Sequence, residues 1–136
     1  MKYLLDTNAV SALMRGDATV ASKARSLGMR DLAVPQPVMA ELAYGIERLP
    51  RSKRRSILED RFNQVRTVLP RAPWTDAVSE HFGEAKAALE KKGQRLEDFD
   101  LAIAAHALAL GAVLVTADHD HVARIPGLKV EDWSRP

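Results

Sequence analysis

Asp6 and Asp118 each follow a short apolar run, residues 2–5 before the first and 112–116 before the second. Such runs read as buried strands, so two carboxylates arrive at strand ends. Asp100 falls in the first turn of a helix predicted over 98–110. Glu41 falls on a helix predicted over 38–49, about a quarter turn around the axis from the centre of its apolar stripe. It therefore borders the core. Carboxylates grouped without basic partners raise one another's pKa, and a divalent cation removes the conflict. Oxygen-only ligands favour Mg²⁺ or Mn²⁺ over zinc. An ion of this kind lowers the pKa of bound water, orients a phosphate and stabilises a leaving oxygen. The pattern points to phosphodiester or phosphoryl chemistry. Each acid also has a structural reading. An acid after a strand caps the next helix, and an acid in a first helical turn is favoured by the helix dipole by about 0.3–1 kcal/mol.

The elements that must place these acids alternate along the chain. After the strand at 2–5, Thr7 or Asn8 can cap a helix near 9–14, and a second helix fits 18–27, stopped by Gly28. A strand at 32–34 leads into the helix over 38–49, which Pro50 ends. Leu58, Phe62, Val65 and Leu69 mark an amphipathic helix within 51–69, followed by a brief strand at 71–74. Val78, Phe82, Ala85 and Leu89 form one stripe of a helix over 76–92. Asp98 is the expected N-cap of the helix over 98–110 and Gly111 its stop. A strand at 112–116, a helical turn at 118–124 and a strand at 128–130 complete the chain. Strands alternating with helices imply an α/β fold with a parallel sheet covered on both faces. In such sheets ligands bind beyond the carboxyl ends of the strands, where the strand order reverses.

The 136 residues make about one domain, and neither a repeat nor a Gly/Ser linker divides them. With no cysteine, disulfide scaffolds, cysteine–zinc sites, iron–sulfur clusters and thiol nucleophiles are excluded. Asp6 comes too early for a signal peptide. The longest apolar run, Leu101 to Ala117, contains His106 and Gly111 and falls short of the roughly 20 residues that span a bilayer. A cytoplasmic protein is expected. No phosphate-binding glycine motif is present, so P-loop and dinucleotide binding are unsupported. His119 and His121 stand two apart, the wrong spacing for one helix face. They read as surface histidines, and His106 as a packed one.

The net charge is only +2, yet residues 48–71 carry eight basic residues against Glu59 and Asp60. Arg51, Lys53, Arg54 and Arg55 are the candidates there for holding a nucleic-acid backbone. A solvated helix face or a protein-docking surface accounts for the same charges.

The chain resembles the PIN-domain ribonucleases, and among them the VapC-type toxins of bacterial toxin–antitoxin pairs. Four segments carry the likeness: Tyr3-Leu4-Leu5-Asp6-Thr7-Asn8; Ala40-Glu41-Leu42 with Gly45; Asp100-Leu101-Ala102-Ile103-Ala104-Ala105-His106-Ala107-Leu108; and Leu114-Val115-Thr116-Ala117-Asp118. The closing segment from Arg124 to Trp133 is similar to that family's C-terminal strand. The resemblance implies a single PIN domain over 1–136, with three α/β/α layers around a parallel sheet of about five strands. It implies an acidic site of Asp6, Glu41, Asp100 and Asp118 holding Mg²⁺ or Mn²⁺, with Asn8 and Thr116 as polar neighbours. It further implies metal-dependent cleavage of structured RNA such as tRNA or rRNA, a homodimer, and silencing by a VapB-type antitoxin that itself binds operator DNA. Pro37, Ala117 and the His119-Asp120-His121-Val122 stretch depart from the usual pattern, which touches substrate contacts more than the acids.

Two other readings stay open on the residues. Asp6-Thr7-Asn8-Ala9-Val10 nearly matches the nucleophile motif of haloacid-dehalogenase-like phosphatases, with Asn8 in place of the general acid. A non-catalytic RNA- or protein-binding module, its acids merely capping helices, is the third.

Overall fold

A computed structural model describes residues 1–135. Five short strands, β1 (Tyr3–Leu5), β2 (Leu32–Pro35), β3 (Arg71–Ala72), β4 (Val113–Val115) and β5 (Lys129–Glu131), form one sheet in the order β3-β2-β1-β4-β5. All four pairings are parallel, with Tyr3 opposite Leu32 on one side and Val113 on the other. Between them run α1 (Thr7–Met14), α2 (Ala18–Leu27), α3 (Gln36–Glu47), α4 (Lys53–Val68), α5 (Asp76–Lys91), α6 (Asp98–Leu110) and α7 (His119–Val122). A single turn of 3₁₀ helix at Met29–Asp31 precedes β2.

Successive strand residues face opposite sides of a sheet. Every residue of β2 is buried, as are Leu4, Leu5, Leu114 and Val115. Both faces are therefore covered, and the expected three-layer α/β/α architecture with five parallel strands is what the structure contains. Leu101 through Ala107 are all buried as well, which makes α6 a core helix packed against α5, α3 and β4.

The 17-residue apolar run from Leu101 to Ala117 is thus the core helix and the strand after it, broken at Gly111. Gly111 ends α6 in the left-handed conformation (φ +63°) that a side chain disfavours. Among the described residues, no helix is long and apolar enough to cross a membrane.

Two caps differ from the sequence reading. The N-cap of α1 is Asp6, whose carboxylate accepts the Ala9 N–H at 2.8 Å, in place of Thr7 or Asn8. The N-cap of α6 is Glu97, with no capping side chain. Asp98 is instead the first residue of the helix and pairs with Lys86 on α5 at 3.1 Å.

Candidate metal centre

The strand order reverses between β1 and β4, and the acids meet beyond their carboxyl ends. The Asp6 N–H continues the ladder past β1 by donating to the Val115 carbonyl at 3.1 Å. This fixes the Asp6 backbone between the two strands. Its capping bond to Ala9 then orients the carboxylate, so capping α1 does not prevent Asp6 from facing the other acids.

Directly after β4 comes Thr116, 3% exposed, whose N–H donates to Glu131 on the neighbouring strand. The Thr116 Oγ1 accepts the Asp118 N–H at 3.0 Å and so sets the turn that presents Asp118. Asp100 comes from the first turn of α6, anchored by the buried residues behind it. Glu41 comes from α3, where it is half-buried as its helical position predicts. The Thr7 hydroxyl donates to Glu41 Oε1 at 2.6 Å and ties α3 to the start of α1.

Asp6, Glu41, Asp100 and Asp118 line one cavity of about 150 Å³, together with Asn8 and Thr116. All six residues expected at the site are therefore at one place, although they come from four separate stretches of sequence. Thr7 and His121 line it too, and sequence reasoning gave neither a part in it. The signal for His121 was its position three residues after Asp118, one helical turn on. Its Nδ1 lies 2.8 and 2.9 Å from the two Asp118 carboxylate oxygens, and this contact raises its pKa. His119 stands outside the cavity, near Asp120 at 3.5 Å.

The electrostatics are those of acids held together against their preference. Burial pushes the Asp6 pKa up, hydrogen bonds from Thr116 and the Ala9 N–H pull it back, and the charges of Asp100 and Asp118 raise it again. Asp100 is raised by burial and then by Glu41 and Asp118, with His121 opposing. No lysine or arginine lines the cavity. Among the described residues, no three acidic or histidine side chains are drawn together into a finished ligand cluster. The donor chemistry nonetheless fits a hard divalent cation, because the carboxylates are oxygen donors whose mutual repulsion such an ion relieves.

The basic residues of the sequence reading lie elsewhere. Arg51, before α4, and Lys53 and Arg54 in its first turn are exposed, and none of them lines the acidic cavity. Arg55 is engaged in the fold. Its guanidinium donates to the Leu49 carbonyl at 2.9 Å and to the Glu47 carboxylate at 3.0 Å, bracing the α3–α4 corner.

Residues 3–128 match the PIN domain, nearly the whole chain. The chain belongs to the PIN-domain family. Among relatives of this PIN domain, ribonuclease VapC2 of Haemophilus influenzae is 31% identical over 98% of each chain. The tRNA(fMet)-specific endonuclease VapC of Shigella flexneri is 28% identical over 98% of this chain and 99% of its own. The fold is similar to that of a chain in the crystal structure of VapBC2 from Rickettsia felis bound to a DNA fragment from their promoter. There the TM-score is 0.86 at 29% identity, covering 98% of this chain and 99% of that one.

Proposed function

We propose that this PIN-domain chain, acting as one domain over 1–136, is the endoribonuclease toxin of a toxin–antitoxin pair. The observation that carries the reading is the convergence of Asp6, Glu41, Asp100 and Asp118 on one cavity at the sheet's switch point. Relatives named as ribonucleases, alike over nearly their full length, support RNA as the substrate class. Structured RNA such as tRNA or rRNA is the expected target. The Rickettsia felis neighbour, solved as VapBC2 on promoter DNA, supports a VapB-type antitoxin as partner and operator DNA as that partner's ligand. The toxin itself is proposed to act as a homodimer.

Asp6, Asp100 and Asp118 would hold Mg²⁺ or Mn²⁺, and Glu41 would complete the site. When bound, such a cation supplies an acidified water and positive charge beside the phosphate. The protein supplies position. Ala9 and Thr116 hold the Asp6 carboxylate, Thr7 holds Glu41, and the Thr116 hydroxyl sets the Asp118 turn. With water as the attacking group, no side-chain nucleophile is required.

The test is cleavage of an RNA panel, including total tRNA, by the purified protein with Mg²⁺, with Mn²⁺ and with EDTA, beside Asp100→Asn. Cutting that needs the metal and is lost in the variant is the expected result. Cutting that survives both EDTA and Asp100→Asn would refute the assigned site.

A further inference from the structure

A second cavity, of about 560 Å³, opens beside the acidic centre between the C-terminal half of α5 and the start of α6. Asp100 and His121 line both cavities, so the two share a wall. Its volume falls within the range of roughly 300–1,000 Å³ usual for small-molecule sites. Leu89 and Leu101 are buried and Leu96 half-buried along one side, giving an apolar surface. Around it stand Glu90, Arg95 and Glu97, and among the described residues none of these three is in an ion pair. Lys86, the other cation of the lining, is held by Asp98 at 3.1 Å.

Acids outnumber cations here, so the cleft repels a phosphate. An unstacked base has different needs: an apolar wall for its ring face, and donors and acceptors for its edge. Guanine offers the two acceptors O6 and N7 to a guanidinium and the donor pair N1–H and N2–H to a carboxylate. Resting on the nuclease reading above, we propose that this cleft receives a guanine next to the scissile phosphate. Arg95 donates to O6 and N7, and Glu90 or Glu97 accepts from N1–H and N2–H. The subsite makes the enzyme select its cut by base as well as by RNA shape.

The experiment is cleavage of RNA hairpins with a randomised loop, with the cut ends sequenced, for the wild type, Arg95→Ala and Glu90→Gln/Glu97→Gln. All three substituted residues are exposed, so the fold tolerates the changes. Guanine should be enriched at one position flanking the wild-type cut, and the enrichment should fall about tenfold in the variants, the loss of one bidentate contact. Cuts with no guanine preference, or a preference the variants leave intact, would overturn the subsite while the nuclease reading stands. Should the wild type cut nothing, the nuclease reading is what fails. Titration with guanosine, which carries no phosphate, against adenosine, cytidine and uridine then decides the cleft. Amide NMR shifts centred on residues 86–101 and selective for guanosine support it, and their absence overturns it.

Discussion

At the scale of single residues, Asp6 does two jobs that a simple classification would separate. It caps α1 through Ala9 and also faces the acidic cavity. Its folded-state pKa lies above the ordinary value of 3.8, chiefly through burial. A carboxyl raised in this way stabilises the fold fully below the unfolded value, and that contribution is lost as pH rises through the folded one. At neutral pH the ionised side chain therefore works against the fold. Asp6→Asn keeps a capping oxygen and removes the charge. It should lower RNA cleavage about 100-fold or more while the melting temperature at pH 7 stays level or rises. Thermal unfolding run beside the cleavage assay checks both, and a lowered melting temperature would show that the charge is stabilising. Thr7 provides a subtler case. Thr7→Val removes the 2.6 Å bond to Glu41 and keeps the shape. Activity or metal affinity should fall by about 10- to 100-fold with little change in stability.

At the scale of elements, glycines separate backbone strain from packing. Gly111 ends α6 at φ +63° with open space where a Cβ would stand, so Gly111→Ala meets strain without a clash. It should cost about 1 kcal/mol in a denaturant titration. Gly45 lies within α3, has no positive φ, and also faces open space. Gly45→Ala should stabilise by about 0.5–1 kcal/mol. Equal effects of the two substitutions would mean that the αL end of α6 carries no conformational cost. The same scale explains the displaced cap of α6. Asp98 has the right chemistry for an N-cap, but α6 starts one residue earlier and Asp98, in its first turn, pairs with Lys86 on the helix packed alongside. Local propensity is a weak prior against a tertiary partner.

At the scale of the whole molecule, metal and pH act on the folding equilibrium. A cation that binds only the folded chain stabilises it by about 2.7 kcal/mol at 100 times its dissociation constant. Mg²⁺ or Mn²⁺ should raise the wild-type melting temperature and leave Asp100→Asn nearly unmoved. Equal shifts in both proteins would place the ion elsewhere. His106 acts on the acid side. It is fully buried on α6, and its Nδ1 lies 2.8 Å from the Ala102 carbonyl while Nε2 has no partner. Burial pushes its pKa below the ordinary 6.5, against the hydrogen bond to Ala102. Between the two values the unfolded chain binds the extra proton, so the contribution of His106 declines as pH falls below about 6.5, opposite in sign to those of Asp6 and Asp100. His106→Leu should flatten that decline in melting curves between pH 7 and pH 5, although the leucine alters the packing against Trp74.

The sequence by itself determined the element order and singled out the four acids that share one cavity. Apolar runs closed by Asp, helical stripes and glycine stops are local patterns, and each strand and helix lies within a few residues of its predicted place. What only the tertiary structure decided is which side chains meet. Thr7 and Glu41 are 34 positions apart in the chain, and nothing in either neighbourhood announces their bond. The clustered arginines illustrate the converse. Arg55 looked like its basic neighbours in sequence, yet two carbonyls and Glu47 hold it at the α3–α4 corner. Spacing reports the face of an element a residue occupies. What faces it across the fold depends on how the elements pack.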